Sequence, residues 1–389
     1  MPSEPIPLEA DTVAVAELPG EELPYEEVQV RPWIFEPAGV WGFTVARYNR
    51  VDGLVPAWGF ALVPVEPDRR PAFAARIGSA TTHERVYWSG SVSQRLPLPG
   101  ALVARFSVFQ RAATFDDWKV WTRENDVASF LTASDLLDWW REHGFEAALD
   151  VESPRGGLAA TVAYVDAHVH SQRNRDPFAL FGSNWRDNPA VEEGTMRAIR
   201  LEGRLDTRDV QSPLLPSPGW IVSGTVEGAG GALGGDVGFS RASLDVRRYL
   251  RFRRDVWWNA RLVWMGPLGE EDLPPQREAK LGGPGSLRGF RAASFVGDAA
   301  LQAQTELRLP LPVTDDIAIV FLSWHWVAFA EAGAVARDGD WGDLHADVGV
   351  GISGINLFSY VGLFVAQRVT DLHGPEDGPR FVVRLRRDF

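Results

Sequence analysis

The chain has no cysteine among its 389 residues, so neither a disulfide framework nor a thiolate metal site can be built. It also lacks positive charge. Its 39 Lys and Arg stand against 52 Asp and Glu, a formal net charge of -13, which argues against a nucleic-acid surface. No run of about 18 or more apolar residues occurs, so no membrane-spanning helix is expected. The best stretch, Ile317 to Ala330, is broken by Ser323 and His325. No basic-then-apolar leader opens the sequence. Gly-Lys never occurs, which removes the phosphate-binding P-loop, and neither His-Glu-x-x-His nor Gly-x-Ser-x-Gly is present. No catalytic constellation and no cofactor or metal site is expected. Gly349-Val-Gly351-Ile-Ser-Gly354 matches a dinucleotide fingerprint, but it lies in a strand with no helix after it. His168 and His170 have metal-ligand spacing without a third ligand, and read as lumen-facing residues of a wet strand.

What is abundant is tryptophan, 16 residues, and glycine, 38 residues. The first suits membrane-interface belts, the second tight turns and close backbone approaches. Residues 1–30 form an acidic, Pro-rich tail expected to be disordered, since it can bury little apolar area. Beyond it, period-2 alternation dominates. One face of Leu301-Gln-Ala-Gln-Thr-Glu-Leu-Arg-Leu carries Leu301, Ala303, Thr305, Leu307 and Leu309. The other carries Gln302, Gln304, Glu306 and Arg308. Ala242, Leu244 and Val246 likewise oppose Ser243, Asp245 and Arg247, and Trp258, Ala260, Leu262 and Trp264 oppose Asn259 and Arg261. A soluble sandwich turns its apolar face inward and a membrane barrel turns it outward, so the period alone leaves both open. About sixteen strands can be counted, with short turns on one side and long segments near 114–144, 171–194 and 267–297 on the other, as expected of a bacterial outer-membrane barrel. A helix is expected over Thr132–Gly144 in an external loop, with Trp139 and Trp140 as a lid, a membrane contact or a packing face.

The Gly-rich stretch Leu281-Gly-Gly-Pro-Gly-Ser-Leu-Arg-Gly-Phe290 resembles the lumen-loop motif of the BamA/TamA superfamily of outer-membrane barrels. Phe329-Ala-Glu331-Ala-Gly333 is similar to that family's thirteenth-strand motif, with Glu331 where Asp is usual. The strand Phe381 to Phe389, ending on Phe389, resembles the terminal signal for barrel assembly. The opening strand Trp41 to Gly53 fits as well. The resemblance covers about residues 38–389.

It implies an all-β fold: a transmembrane antiparallel barrel of about sixteen strands over residues 31–389, with a long loop between strands eleven and twelve inserted in the lumen. Leu287, Arg288, Gly289 and Phe290 would form the loop tip. Arg288 would pair with Glu331 and Asp347, since a guanidinium in a polar lumen makes bidentate bonds to carboxylates. Gly282, Gly283, Gly285, Gly349 and Gly351 would allow the close approach. The implied function is insertion or translocation of proteins in the bacterial outer membrane, non-enzymatic. Partners would be outer-membrane lipid, unfolded client protein and a periplasmic accessory protein. The alternative is a barrel-only pore, or a membrane anchor or secretion module working with a separate periplasmic partner.

Overall fold

The computed structural model describes residues 32–98, 101–153, 157–208, 217–253, 256–311, 322–355, 360–371 and 378–385. The acidic tail, Phe389 and the turn at Pro312 lie outside the described residues.

Strands dominate and pair with their chain neighbours in antiparallel register. The first, β1 (Trp33–Pro37) and β2 (Phe43–Asn49), lie end to end along β3 (Gly53–Pro64). Then come β4 (Ala72–Ala80), β5 (Arg85–Arg95), β6 (Ala101–Ala113), β7 (Trp140–Glu152) and β8 (Leu158–Ser171). The wall continues through β9 (Gly194–Asp206), β10 (Gly219–Ala229), β11 (Phe239–Arg253) and β12 (Val256–Pro267). A short hairpin, β13 (Ala279–Leu281) with β14 (Phe295–Gly297), forms its own sheet. The wall resumes with β15 (Ala299–Pro310), β16 (Leu322–Arg337), β18 (His345–Ile355), β19 (Tyr360–Arg368) and β20 (Arg380–Arg384). The two-residue β17 (Asp340–Trp341) pairs antiparallel with the end of β16, on the side that β18 continues. Taking β1 and β2 as one stave and leaving out β13, β14 and β17, the twenty strands make a wall of about sixteen. β12 and β15 are its eleventh and twelfth staves. Among the described residues no pairing joins β20 to β1 or β2, so the sheet has an open seam.

Burial settles which face points where. On β15, Leu301, Leu307 and Leu309 are exposed while Gln302, Gln304, Glu306 and Arg308 are buried. On β12, Leu262 is exposed while Asn259 and Arg261 are buried. A water-soluble sandwich would show the reverse, so the apolar face is the outer surface of a barrel and the polar face lines its lumen. Toward the end with the long connections this order flips. There Phe109, Trp140, Val165, Val169, Phe239 and Leu273 form a buried apolar core beneath the loops.

Two expectations are corrected here. The helix of the long β6–β7 connection is α1, Thr122–Thr132, not Thr132–Gly144. It stops at Ala133, whose φ of 55° is left-handed, and residues from Trp140 onward enter β7. Trp139 and Trp140 are buried rather than presented to a membrane. His168 and His170 face outward, because Ala167 and Val169, which alternate with them, point into the loop-covered core.

Leu262 sits in mid-strand on the outer face, so Leu262→Arg should lower stability against urea in phospholipid vesicles by about 2–4 kcal/mol. An unchanged unfolding midpoint would exclude lipid contact for that face.

Candidate functional site

The β12–β15 connection turns into the lumen, and its tip is fully enclosed: Leu281, Leu287, Arg288 and Phe290 are all buried. The backbone makes this possible at Gly282 and Gly283, with φ of 103° and 95°. The amide of Gly283 donates to the carbonyl of Leu287 at 3.0 Å and closes the tip on itself. Gly285 lies against the backbone of Lys119 in the β6–β7 connection, so it makes a loop-to-loop approach rather than one to the wall.

Arg288 is held by two carboxylates. Its backbone N–H donates to Glu331 Oε2 at 2.7 Å and its Nε to Glu331 Oε1 at 2.8 Å. A terminal nitrogen donates to Glu306 Oε1 at 2.5 Å. The longer Glu331, standing where the family pattern has Asp, can thus take main chain and side chain together. Gln304 donates to the same Glu331 oxygen and to the carbonyl of Ser286, both at 2.8 Å. Arg308 closes the far side of Glu306 at 2.7 Å. Under the guanidinium lie two rings, Phe329 at 3.9 Å and Phe364 at 4.8 Å. Gly349 leaves room for the Phe329 ring and Gly351 for that of Phe364, since a Cβ at either would overlap the ring. These glycines therefore seat the floor under Arg288.

The structure brings together Leu287, Arg288, Gly289, Phe290, Glu331, Gly349 and Gly351. Asp347 is buried beside Gly289 rather than paired with the guanidinium, and Glu306 takes the second carboxylate position. Glu306 was visible on the inner face of β15 but carried no motif. Arg368 donates to the carbonyl of Gly289 at 2.9 Å, so the tip touches β15, β16, β18 and β19.

A second set of ions ties the connections to each other. Asp138 receives Arg50 at 2.9 Å, Arg186 at 2.6 Å and Lys280 at 2.8 Å, from three different connections. Burial alone would raise its carboxyl pKa, but Arg186, Lys280 and Arg50 outweigh it and hold the group below the usual carboxylate range.

The third feature is at the seam. Val45 and Ala46 form a bulge opposite Pro56 that turns their carbonyls out of the ladder. Arg123 of α1 donates to both, at 2.7 and 3.1 Å. The N–H of Tyr48 donates to Asp126 of α1 at 3.0 Å. Glu124, in the same turn of the helix, accepts from Arg384 of β20 at 2.7 Å. One helix therefore contacts both edges of the open sheet. Its inner face is polar, with Glu124, Asn125 and Ser129 buried, while Val127 and Phe130 are exposed.

Residues 183–353, which include the loop and its carboxylates, match the family model of the Omp85 superfamily domain. The resemblance to outer-membrane assembly barrels holds over that stretch. No curated protein matches the chain. Among solved structures, BamA from Haemophilus ducreyi lacking POTRA domains 1-3 is similar at 12% identity and a TM-score of 0.60, covering 87% of this chain and 69% of that one. CdiB from Acinetobacter baumannii matches at 14% identity and a TM-score of 0.44, over 88% of this chain and 58% of that one. CdiB from Escherichia coli matches at 13% and 0.47, over 86% and 59%. This chain thus spans under two thirds of either CdiB chain. The BamA likeness identifies the fold as that of an outer-membrane barrel.

Removing Arg288 would leave two buried carboxylates without their shared cation. Arg288→Ala should cost about 3–5 kcal/mol, seen as a lower temperature for loss of the heat-modifiable compact band, with Arg288→Lys intermediate. Unchanged melting in both variants would show that the loop tip adds nothing to barrel stability.

Proposed function

We propose that this protein inserts or translocates polypeptides in the outer membrane by admitting client strands at the seam between β2 and β20. Arg288 with Glu331 and Glu306 acts as a structural lock for the lumen loop, and α1 is the part that moves. The observation carrying this reading is the state of the β2 edge. Three of its backbone groups, the carbonyls of Val45 and Ala46 and the N–H of Tyr48, are satisfied by side chains of α1 instead of a neighbouring strand. Side-chain partners can be exchanged for the ladder of an incoming strand without breaking the sheet, which is the physical basis of β-augmentation. Unfolded barrel proteins are the proposed clients, delivered by a periplasmic accessory partner. A second reading, a pore, is favoured by a lumen cavity of about 520 Å³ lined by Arg47, Arg111, Glu142, Arg241 and Asp245.

The cysteine-free sequence makes the test direct. Glu124→Cys with Arg384→Cys, joined by a short bis-maleimide, pins α1 to β20. In liposomes the joined protein should insert an unfolded barrel client no faster than lipid alone, and the unjoined pair should insert it faster. Equal insertion by both would overturn the seam mechanism. Ion conductance with no insertion by the unmodified protein would favour the pore.

A further inference from the structure

We infer that the outer wall of β7–β9 holds a binding site for a membrane lipid with a phosphate headgroup, in the leaflet on the long-loop side. It lies apart from the lumen loop and the seam, and does not depend on the client reading.

The upper part of the site is polar and carries one guanidinium. Arg141, His143, His168 and His170 all point outward near the rim. Register places Arg141 opposite His170 and His143 opposite His168. The His143 ring stacks on both other imidazoles, with centroids 5.2 Å from His168 and 5.4 Å from His170. Among the described residues Arg141 has no ionic partner, and its Nε is buried with no hydrogen bond. Of the nearby acids, Asp166 holds Arg197 at 2.9 Å, and Glu193 accepts the N–H of Ser171 at 2.9 Å and attracts Arg141 and His170 without a direct ion pair. A guanidinium without a direct ion pair is costly at the edge of a hydrocarbon layer unless an anion joins it, and the imidazoles beside it offer further N–H donors. A phosphate oxygen set supplies that anion and the acceptors these donors need.

The lower part is apolar. Four residues down each strand, the outer face carries a groove of about 600 Å³ lined by Phe106, Ala147, Leu149, Val162, Tyr164 and Ile199. Ala147 is the small residue that opens it, paired by register with Phe106 on one side and Tyr164 on the other. At about 3.4 Å per residue, groove and cluster centres stand roughly 14 Å apart along the strands. That suits one molecule with its phosphate at the rim and an acyl chain below. The combination separates a phospholipid from a free anion, which would need no groove, and from a neutral lipid, which would need no guanidinium.

The test uses the purified full chain in a neutral maltoside detergent, with binding read by native mass spectrometry. Dimyristoyl phosphatidic acid should be retained, and dimyristoylglycerol and inorganic phosphate should not. The variant Arg141→Gln/His143→Gln/His170→Gln should weaken phosphatidic acid by about 10-fold or more. Ala147→Leu, which fills the groove and leaves the cluster, should weaken it too. Heat-modifiable mobility confirms that each variant is folded. Equal retention of diacylglycerol, displacement of the lipid by inorganic phosphate alone, or unchanged binding in the folded triple variant would each overturn the site.

Discussion

Inside a hydrocarbon layer there is no water to satisfy a backbone N–H or C=O, and the architecture follows from that constraint. It accounts for a wall of strands each paired with its chain neighbour. It also makes the interruption that the described residues show between β2 and β20 the place that needs another answer. The bulge at Val45 and Ala46 sharpens the problem by turning two carbonyls away from the ladder. Arg123 and Asp126 complete what a strand would have completed. The helix even keeps the barrel's polarity, with carboxylate and amide inward and Val127 and Phe130 outward.

The lumen obeys the same constraint from the other side. Its wall is charged, so whatever fills it must bring matching charge. The β12–β15 loop brings Arg288 to Glu331 and Glu306, and the Gly349 and Gly351 positions let two phenyl rings lie beneath the cation. A buried ion set of this kind is costly to assemble and more costly to break in part, so it acts on position more than on net stability. Asp138 does the same for the connections, holding three cations from three segments.

Much of this was legible in sequence because a barrel repeats one local rule. Alternation placed β11, β12 and β15 and their faces correctly, and loop lengths placed the three long connections. The lumen loop was readable from Leu287-Arg-Gly-Phe290 and Glu331. What escaped depended on contacts distant in sequence. Thr132-Ala-Ser-Asp looks like a helix start, yet Asp135 is spent on the amide of Arg50 and the indole of Trp139, and α1 begins after Trp121 with no capping side chain. The histidines were misread for a related reason. Near the rim the loops form an apolar core inside the wall, so the rule that polar residues face the lumen reverses with height. Glu306 was on the right face, but nothing local distinguishes it from Gln302 or Gln304.

The seam helix also bears on the order of events during folding. Asp126 meets Tyr48 across 78 residues, whereas Glu124 meets Arg384 across 260. The first contact needs only the N-terminal third of the chain and the second needs nearly all of it. Closing the longer loop carries the larger entropic cost, so the two halves of the helix's attachment are separable in time. The edge of the first strand can therefore be capped while later strands are still being added. A growing sheet with a capped leading edge has one free edge to extend from, and that gives its assembly a direction.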